Sequence, residues 1–369
     1  MGDVRMIHKL AACAALACAL LAPAPSFAQH KTLNVANWSD YIDPKAIEDF
    51  TRETGVRVAY DTYDSNETLE TRLLAGATGY DLVAPTSSFL QRQIQAGVYQ
   101  KIDKALLPNL KELDPQIVQR MNVFDPGGAY SVPYMWSTTG IAYNVKKVRE
   151  RLGEQKVDSW DIVLKPQILA KLADCGVYFL DSPEDILAIA AKYLGLDPNL
   201  TSAGDIKRAA DLIAGVRRSI RKFHSSEYIN ALANGDICVA VGWAGDSLQA
   251  RNRAREANNG VEIAYAIPRE GTLMSIDSFA IPKDAKNVAD AHRFLDFLMR
   301  PEIAARNTLL TNFVNPVPAS RAHLPAALVD NKDIFPDDAT MKRIFVVGMK
   351  DPAMQKVITR EWSRVKLGR

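Results

Sequence analysis

The chain has 369 residues, 47% of them hydrophobic and 24% charged, which is globular composition with apolar material for two cores. A formal net charge of +2 gives no global field for nucleic acid or a membrane surface. No basic run interleaved with aromatics is present, so nucleic acid is not an expected partner.

The first residues read as a secretory signal peptide. Arg5 and Lys9 form the positive region, residues 10–21 a short apolar region, and Ser26-Phe27-Ala28 a small-x-small cleavage site. The apolar region is too short to span a membrane. Leu10-Ala-Ala-Cys13 has lipoprotein spacing, but almost no apolar residues precede it. Residues 1–28 are therefore expected to be removed, leaving a soluble chain that begins near Gln29. Cys13 and Cys18 leave with the signal. Cys175 and Cys238 remain, an even pair in an oxidising compartment. That predicts a disulfide worth about 3–4 kcal/mol; the alternative is two buried free thiols.

Residues 33–36 read as a strand, followed by the turn Asn37-Trp38-Ser39-Asp40-Tyr41. Asp43 and Pro44 open a helix that Gly55 ends. Residues 56–60 alternate as a second strand. Ser65 and Asn66 open a helix with Leu69 and Leu73 on one face, ended by Gly76. Residues 80–84 are a third strand, and Thr86-Ser87-Ser88 opens a helix that stops at Gly97. The order β-α-β-α-β-α predicts a parallel sheet with crossover helices.

Beyond the turn Asp125-Pro-Gly-Gly128, residues 130–134 and 139–144 read as separate pieces, with a chain crossing near 136. A second α/β set follows: a helix at 166–173, a strand at 176–180, then a helix opened by Ser182 and Pro183, with Asp185 at capping-box spacing. Helices at 203–215 and 226–234 lead to a buried strand at 237–241. That strand breaks at Gly242-Trp243-Ala-Gly-Asp246, and a helix opens at Ser247, with Asp246 as a possible N-cap. Strands at 261–267 and 278–282 leave Asp277 between strand-like runs. A helix at 288–299 and a helical, Pro-interrupted tail complete the chain. The expected architecture is α/β in two lobes. Residues 29–136 and 248–305 form the first, and 137–247 and 306–369 the second.

No nucleophile elbow, phosphate loop, dinucleotide fingerprint or zinc-protease helix is present. No two histidines sit at metal spacing, so neither a metal nor a cofactor is expected. What recurs is an aromatic, a carboxylate and a small hydroxyl at strand ends, where open α/β sheets bind ligands. The first turn offers Trp38, Ser39, Asp40 and Tyr41, and the third offers Thr86 and Ser87. Glu184, the Trp243 and Asp246 pair, and Asp277 follow. Each alone is commonly a cap or a packed aromatic. Together they suit an elongated cation with an apolar middle: carboxylates hold ammonium groups, and aromatic faces cover methylenes. No Arg stands in these turns to take a ligand carboxylate. A secreted enzyme on the same fold would need a Cys or His there, and none is present.

Asn37-Trp-Ser-Asp-Tyr-Ile42, Gly79-Tyr-Asp-Leu-Val83, Pro133-Tyr-Met-Trp136, His224-Ser-Ser, Asn234-Gly-Asp-Ile-Cys238 and Gly242-Trp-Ala-Gly-Asp246 resemble the periplasmic putrescine-binding proteins of polyamine ABC importers. The resemblance covers essentially the whole mature chain. It implies a two-lobed type II periplasmic binding fold with the ligand in the cleft between lobes, and delivery by a monomer to membrane permease subunits. It implies ligand contacts at Trp38, Ser39, Asp40, Tyr41, Thr86, Glu184, Trp243, Asp246 and Asp277, and pairing of Cys175 with Cys238. Two positions depart from the pattern: Ser275 replaces an aromatic, and Phe313 replaces a Tyr. These count as ligand-lining positions that bear on the choice among putrescine, spermidine and agmatine.

Overall fold

The computed structural model describes residues 32–63 and 65–368; the signal segment and its cleavage point lie outside them. The chain begins β1 (Thr32–Trp38), α1 (Pro44–Thr54), β2 (Arg57–Tyr63), α2 (Asn66–Ala75), β3 (Leu82–Val83) and α3 (Ser87–Gln95). Local chemistry sets these boundaries. Asp43 accepts from the Lys45 amide, Pro44 stands at the first helical position, and Gly55 closes α1 at φ 71°. Ser65 accepts from the Thr68 amide at the start of α2.

Leaving aside single-turn helices, α4 (Pro115–Met121), β4 (Ser131–Asn144), α5 (Val145–Leu152), β5 (Val177–Phe179), α6 (Pro183–Tyr193) and α7 (Ala203–Val216) follow. Next come β6 (Lys222–Phe223), α8 (Tyr228–Ala233), β7 (Val239–Trp243), α9 (Ala244–Glu256), β8 (Ile263–Ala266) and β9 (Met274–Ala280). The last helices are α10 (Val288–Leu298), α11 (Pro301–Thr311) and α12 (Pro352–Lys366). Among the described residues, no helix is long and apolar enough to cross a membrane.

The strands lie in the order β2-β1-β3-β9-β4-β7-β5-β6, with β8 pairing β4 off this path. β1, β2 and β3 are parallel neighbours, as are β5, β6 and β7; β9 and β4 run antiparallel to their neighbours. β4 organises the molecule. Residues Ser131 to Thr138 pair with β9, while Thr139 to Tyr143 pair with β7 and Ile141 to Asn144 with β8. The two pieces expected at 130–134 and 139–144 are thus one strand of 14 residues, buried along almost its whole length. Both faces are covered, so it shows no alternation to read. The register shift between Pro133 and Met135 accommodates the proline.

Each half of β4 serves its own apolar core. Leu33, Phe50, Leu82, Phe279 and Phe294 are buried in the first. A further cluster around Tyr63, Leu90, Trp136 and Ile334 adjoins it, with Trp38 packed against both. Ile141, Trp160, Phe179, Tyr228, Val241, Tyr265 and Trp362 build the second core. The Cys175–Cys238 disulfide lies within the second core, with Cα atoms 5.5 Å apart.

Candidate functional site

On the side of the first core, β1 delivers Trp38 at its carboxyl end, and the Trp38 indole donates to the Ala84 carbonyl at 3.0 Å. The chain then turns sharply. Asp40 takes a left-handed conformation at φ 54°, which Asp tolerates better than most residues. Ser39 and Asp40 stand exposed on this turn, and Tyr41 is driven inward.

The Tyr41 hydroxyl donates to Asp277 at 2.7 Å, and the Thr86 hydroxyl donates to the other Asp277 oxygen at 2.6 Å. Asn66 Nδ2 donates to the Thr86 hydroxyl in turn, at 3.1 Å. Ser87 clamps the start of α3 to β9: its hydroxyl donates to the Ile276 carbonyl at 2.6 Å and accepts from the Ile276 amide at 3.0 Å. Asp277 lies inside β9, not between strands as the sequence indicated. Its alternating neighbours Met274, Ile276 and Ser278 are buried, and that alternation is the strand signal. Burial pushes the Asp277 carboxyl up to about 6, against the pull of its two hydroxyl donors. Tyr41 is raised by burial and by the Asp277 charge, and the Asp246 charge raises it further.

On the side of the second core, β7 runs through Gly242 to Trp243, and α9 begins at Ala244. Asp246 is therefore not an N-cap; it sits in the first turn, where the helix dipole favours negative charge. The two glycines of this turn have packing causes. A Cβ on Gly242 would collide with the Tyr228 ring, and one on Gly245 would overlap the Phe313 ring. Tyr228 uses the space to donate to Asp246 at 2.8 Å while accepting from the Trp243 amide at 3.0 Å. Burial pushes Asp246 up to about 6, opposed by the Tyr228 bond and by the Arg253 charge.

Phe313 joins the two sides. Asn312, left-handed at φ 61°, ends α11 and swings Phe313 over Gly245. The Phe313 ring meets Tyr41 edge-on at 4.9 Å between centroids.

Sequence reasoning missed Asp185. It reads as a capping-box partner, and the Ser182 hydroxyl does donate to it at 2.6 Å. Its other oxygen, however, accepts from the Thr139 hydroxyl and from the Trp243 indole, the latter at 3.3 Å. Asp185 is buried and raised by that burial. Glu184 beside it is pushed up to about 7 by burial and by the Asp185 charge, offset by the Ser88 hydroxyl and the Lys350 ammonium. The acidic doublet at the start of α6 was the available signal.

Ser275 shares a face of β9 with Asp277 and stands opposite Ser137 of β4. Thr139, which holds Asp185, is one pleat further along β4 from Ser137. Ser275 thus lies between the Asp277 side and the Asp185 side, about 7 Å along the strands from each.

The assembled surface combines Asp277, Asp246, Asp185 and Glu184 with Trp38, Tyr41, Trp243 and Phe313. Among the described residues, none of the four carboxylates forms an ion pair within 4.0 Å. Unpaired, desolvated carboxylates flanked by aromatic faces can hold ammonium groups and cover an alkyl stem. No group of three His, Cys, Asp or Glu that could hold a metal occurs among the described residues.

Residues 45–338 match the family model described as bacterial extracellular solute-binding protein. The chain is 49% identical over 344 residues to the putrescine-binding periplasmic protein PotF of Escherichia coli (strain K12), covering 93% of each. It is 40% identical over 344 residues to a putrescine/agmatine-binding protein of Pseudomonas aeruginosa, covering 93% of this chain and 94% of that one. Its fold matches the crystal structure of the spermidine/putrescine ABC transporter substrate-binding protein PotD of Streptococcus pneumoniae. There the TM-score is 0.81 at 25% identity, over 92% of this chain and 99% of that one. The chain belongs to the bacterial extracellular solute-binding protein family, and its solved relatives include the PotD-type proteins.

Proposed function

We propose that this chain is a periplasmic binding protein that captures putrescine and delivers it to the permease of an ABC importer. The observation that carries the reading is the pair Asp277 and Asp246. Both are raised to about 6 by burial, and Tyr41 and Phe313 lie between them. A diamine supplies one cation for each side and an alkyl stem for the aromatic surface. The names of the relatives above support the ligand class.

Ligand contacts are assigned to Trp38, Ser39, Asp40, Tyr41, Thr86, Glu184, Trp243, Asp246, Ser275, Asp277 and Phe313, with Asp185 added. Asp40, exposed on its turn, would meet the ligand from the rim. The two cores act as two lobes hinged about β4, and a bound dication draws them together. Export uses the N-terminal segment, with the mature monomer beginning near Gln29 and carrying no catalytic activity.

Agmatine is the second reading. Ser275 stands where the family pattern that the sequence resembles has an aromatic, and a longer or bulkier ligand end would fill the room it leaves. Calorimetric titration of putrescine, agmatine, spermidine and lysine into the mature protein tests the proposal. One putrescine per chain, bound more tightly than lysine, is expected. Lysine binding as tightly as putrescine, or no amine binding, would overturn it.

A further inference from the structure

A cavity of about 610 Å³ lies between α9, strand β8 and the turn at Asn331 and Asp333, and none of the carboxylates of the candidate site lines it. Arg251 and Arg255 both line it, one helical turn apart. Glu262, Tyr265, Asn331 and Asp333 complete the wall that matters here. The two guanidinium groups repel each other at this spacing. Arg251 Nε is buried and has no hydrogen-bond partner. Burial and the Arg255 charge lower the Arg251 pKa, with Asp333 opposing.

Neither arginine is in an ion pair among the described residues. Arg253, between them in sequence, behaves differently: it donates to Asn230 at 2.7 Å. Asp333 is itself raised by burial and engaged by the Ile267 amide, so it balances the pair incompletely. An orphaned guanidinium donor, a like-charged neighbour and a roomy polar cavity are complementary to an oxyanion. Planar guanidinium forks take carboxylate or phosphate by paired, charge-assisted bonds. The volume suits a small organic acid or phosphate compound.

We infer that this cavity is a second binding site, in which Arg251 and Arg255 hold the carboxylate or phosphate of a small anion. It is independent of the diamine reading, since it uses none of the residues assigned there. Inorganic phosphate and succinate are the probes, titrated separately by calorimetry into the mature protein at constant ionic strength. Arg251→Gln, Arg255→Gln and Arg253→Gln are compared, with folding checked by thermal melts.

Saturable one-to-one binding of at least one probe is expected. It should weaken by about tenfold or more in Arg251→Gln or Arg255→Gln and hold in Arg253→Gln. Phosphate alone binding identifies a phosphate site, and succinate alone a carboxylate site. If Arg251→Gln does not fold, Arg255→Gln decides, because its side chain is exposed. Neither probe saturating in the millimolar range overturns the inference. So does equal weakening by all three variants, which would mark a general charge effect.

Discussion

Two regions a few residues apart treat aspartate in opposite ways. At the start of α1, Arg306 bridges Asp43 at 2.8 Å and Asp49 at 2.6 Å. Arg306 and Arg52 hold Asp49 below the usual carboxylate range. Two residues before Asp43, Tyr41 points to Asp277, which is raised to about 6 and has only hydroxyl donors. The chain thus has arginines and places them where acids fix a helix to its neighbour. It brings none of them into an ion pair with Asp277, whose side-chain partners are Thr86 and Tyr41. Pairs of the first kind are screened by nearby water and add little to stability. A buried acid without a countercharge costs stability until a cation arrives. The difference supports the proposed reading, in which Asp277 meets a charge that the chain does not itself supply.

The sharpest way to break this comparison is Asp277→Asn. It keeps the shape and removes the countercharge with the fewest nearby substitutes, so putrescine binding should weaken by about 3–5 kcal/mol. Without ligand, the melting temperature at neutral pH should hold or rise, because a raised carboxyl has been removed. A large fall in melting temperature with unchanged affinity would make Asp277 structural, like Asp43.

Asp246→Asn should cost less, about 2–3 kcal/mol of binding. Asp185 and Glu184 lie on the same side, and the α9 dipole remains. Calorimetry of both variants side by side checks the ranking.

Ser275→Phe sharpens the comparison at the apolar middle of the site. Putrescine should bind more tightly by about 0.5–1.5 kcal/mol and the longer amines more weakly. An unchanged affinity ratio would remove Ser275 from selectivity.

Phe313→Tyr should have the smallest effect, within about 0.5 kcal/mol, since the ring already packs on Tyr41 and Gly245. A larger change in titration would show that the added hydroxyl reaches ligand.

Much of this was legible before the structure, for local reasons. Asp43, Pro44 and Gly55 mark α1 because caps and breakers act within four residues. The Gly242 to Asp246 turn announced itself by aromatic, glycine and carboxylate together. Its partners did not. Tyr228 and Phe313 reach those glycines from 14 or more residues away in sequence, and no spacing rule foretells which ring fills a glycine's gap. Gly242 inside a strand was the usable signal, since such a glycine marks close approach. Asp185 was hidden by its own capping reading: one oxygen obeys it, while the other turns to Thr139 and Trp243. The continuity of β4 was hidden by full burial and by Pro133, which reads as an interruption. Ser275 and Phe313 drew notice only because they depart from a family pattern.

Proton release on binding is the direct measure of unpaired carboxylates. Burial pushes Asp277 and Asp246 up to about 6 and raises Glu184 as well, above ordinary unfolded values. Their contribution to folding stability is therefore full below about pH 4 and is lost as pH rises through these values. A dication requires them ionised, so affinity should rise with pH across the same window and level off above it. Calorimetric enthalpies of putrescine binding at pH 6, taken in two buffers of different ionisation enthalpy, should reveal release of about one to two protons, vanishing by about pH 8. Equal enthalpies in both buffers at pH 6 would mean the carboxylates are already ionised and balanced, and that the cleft is not waiting for a cation.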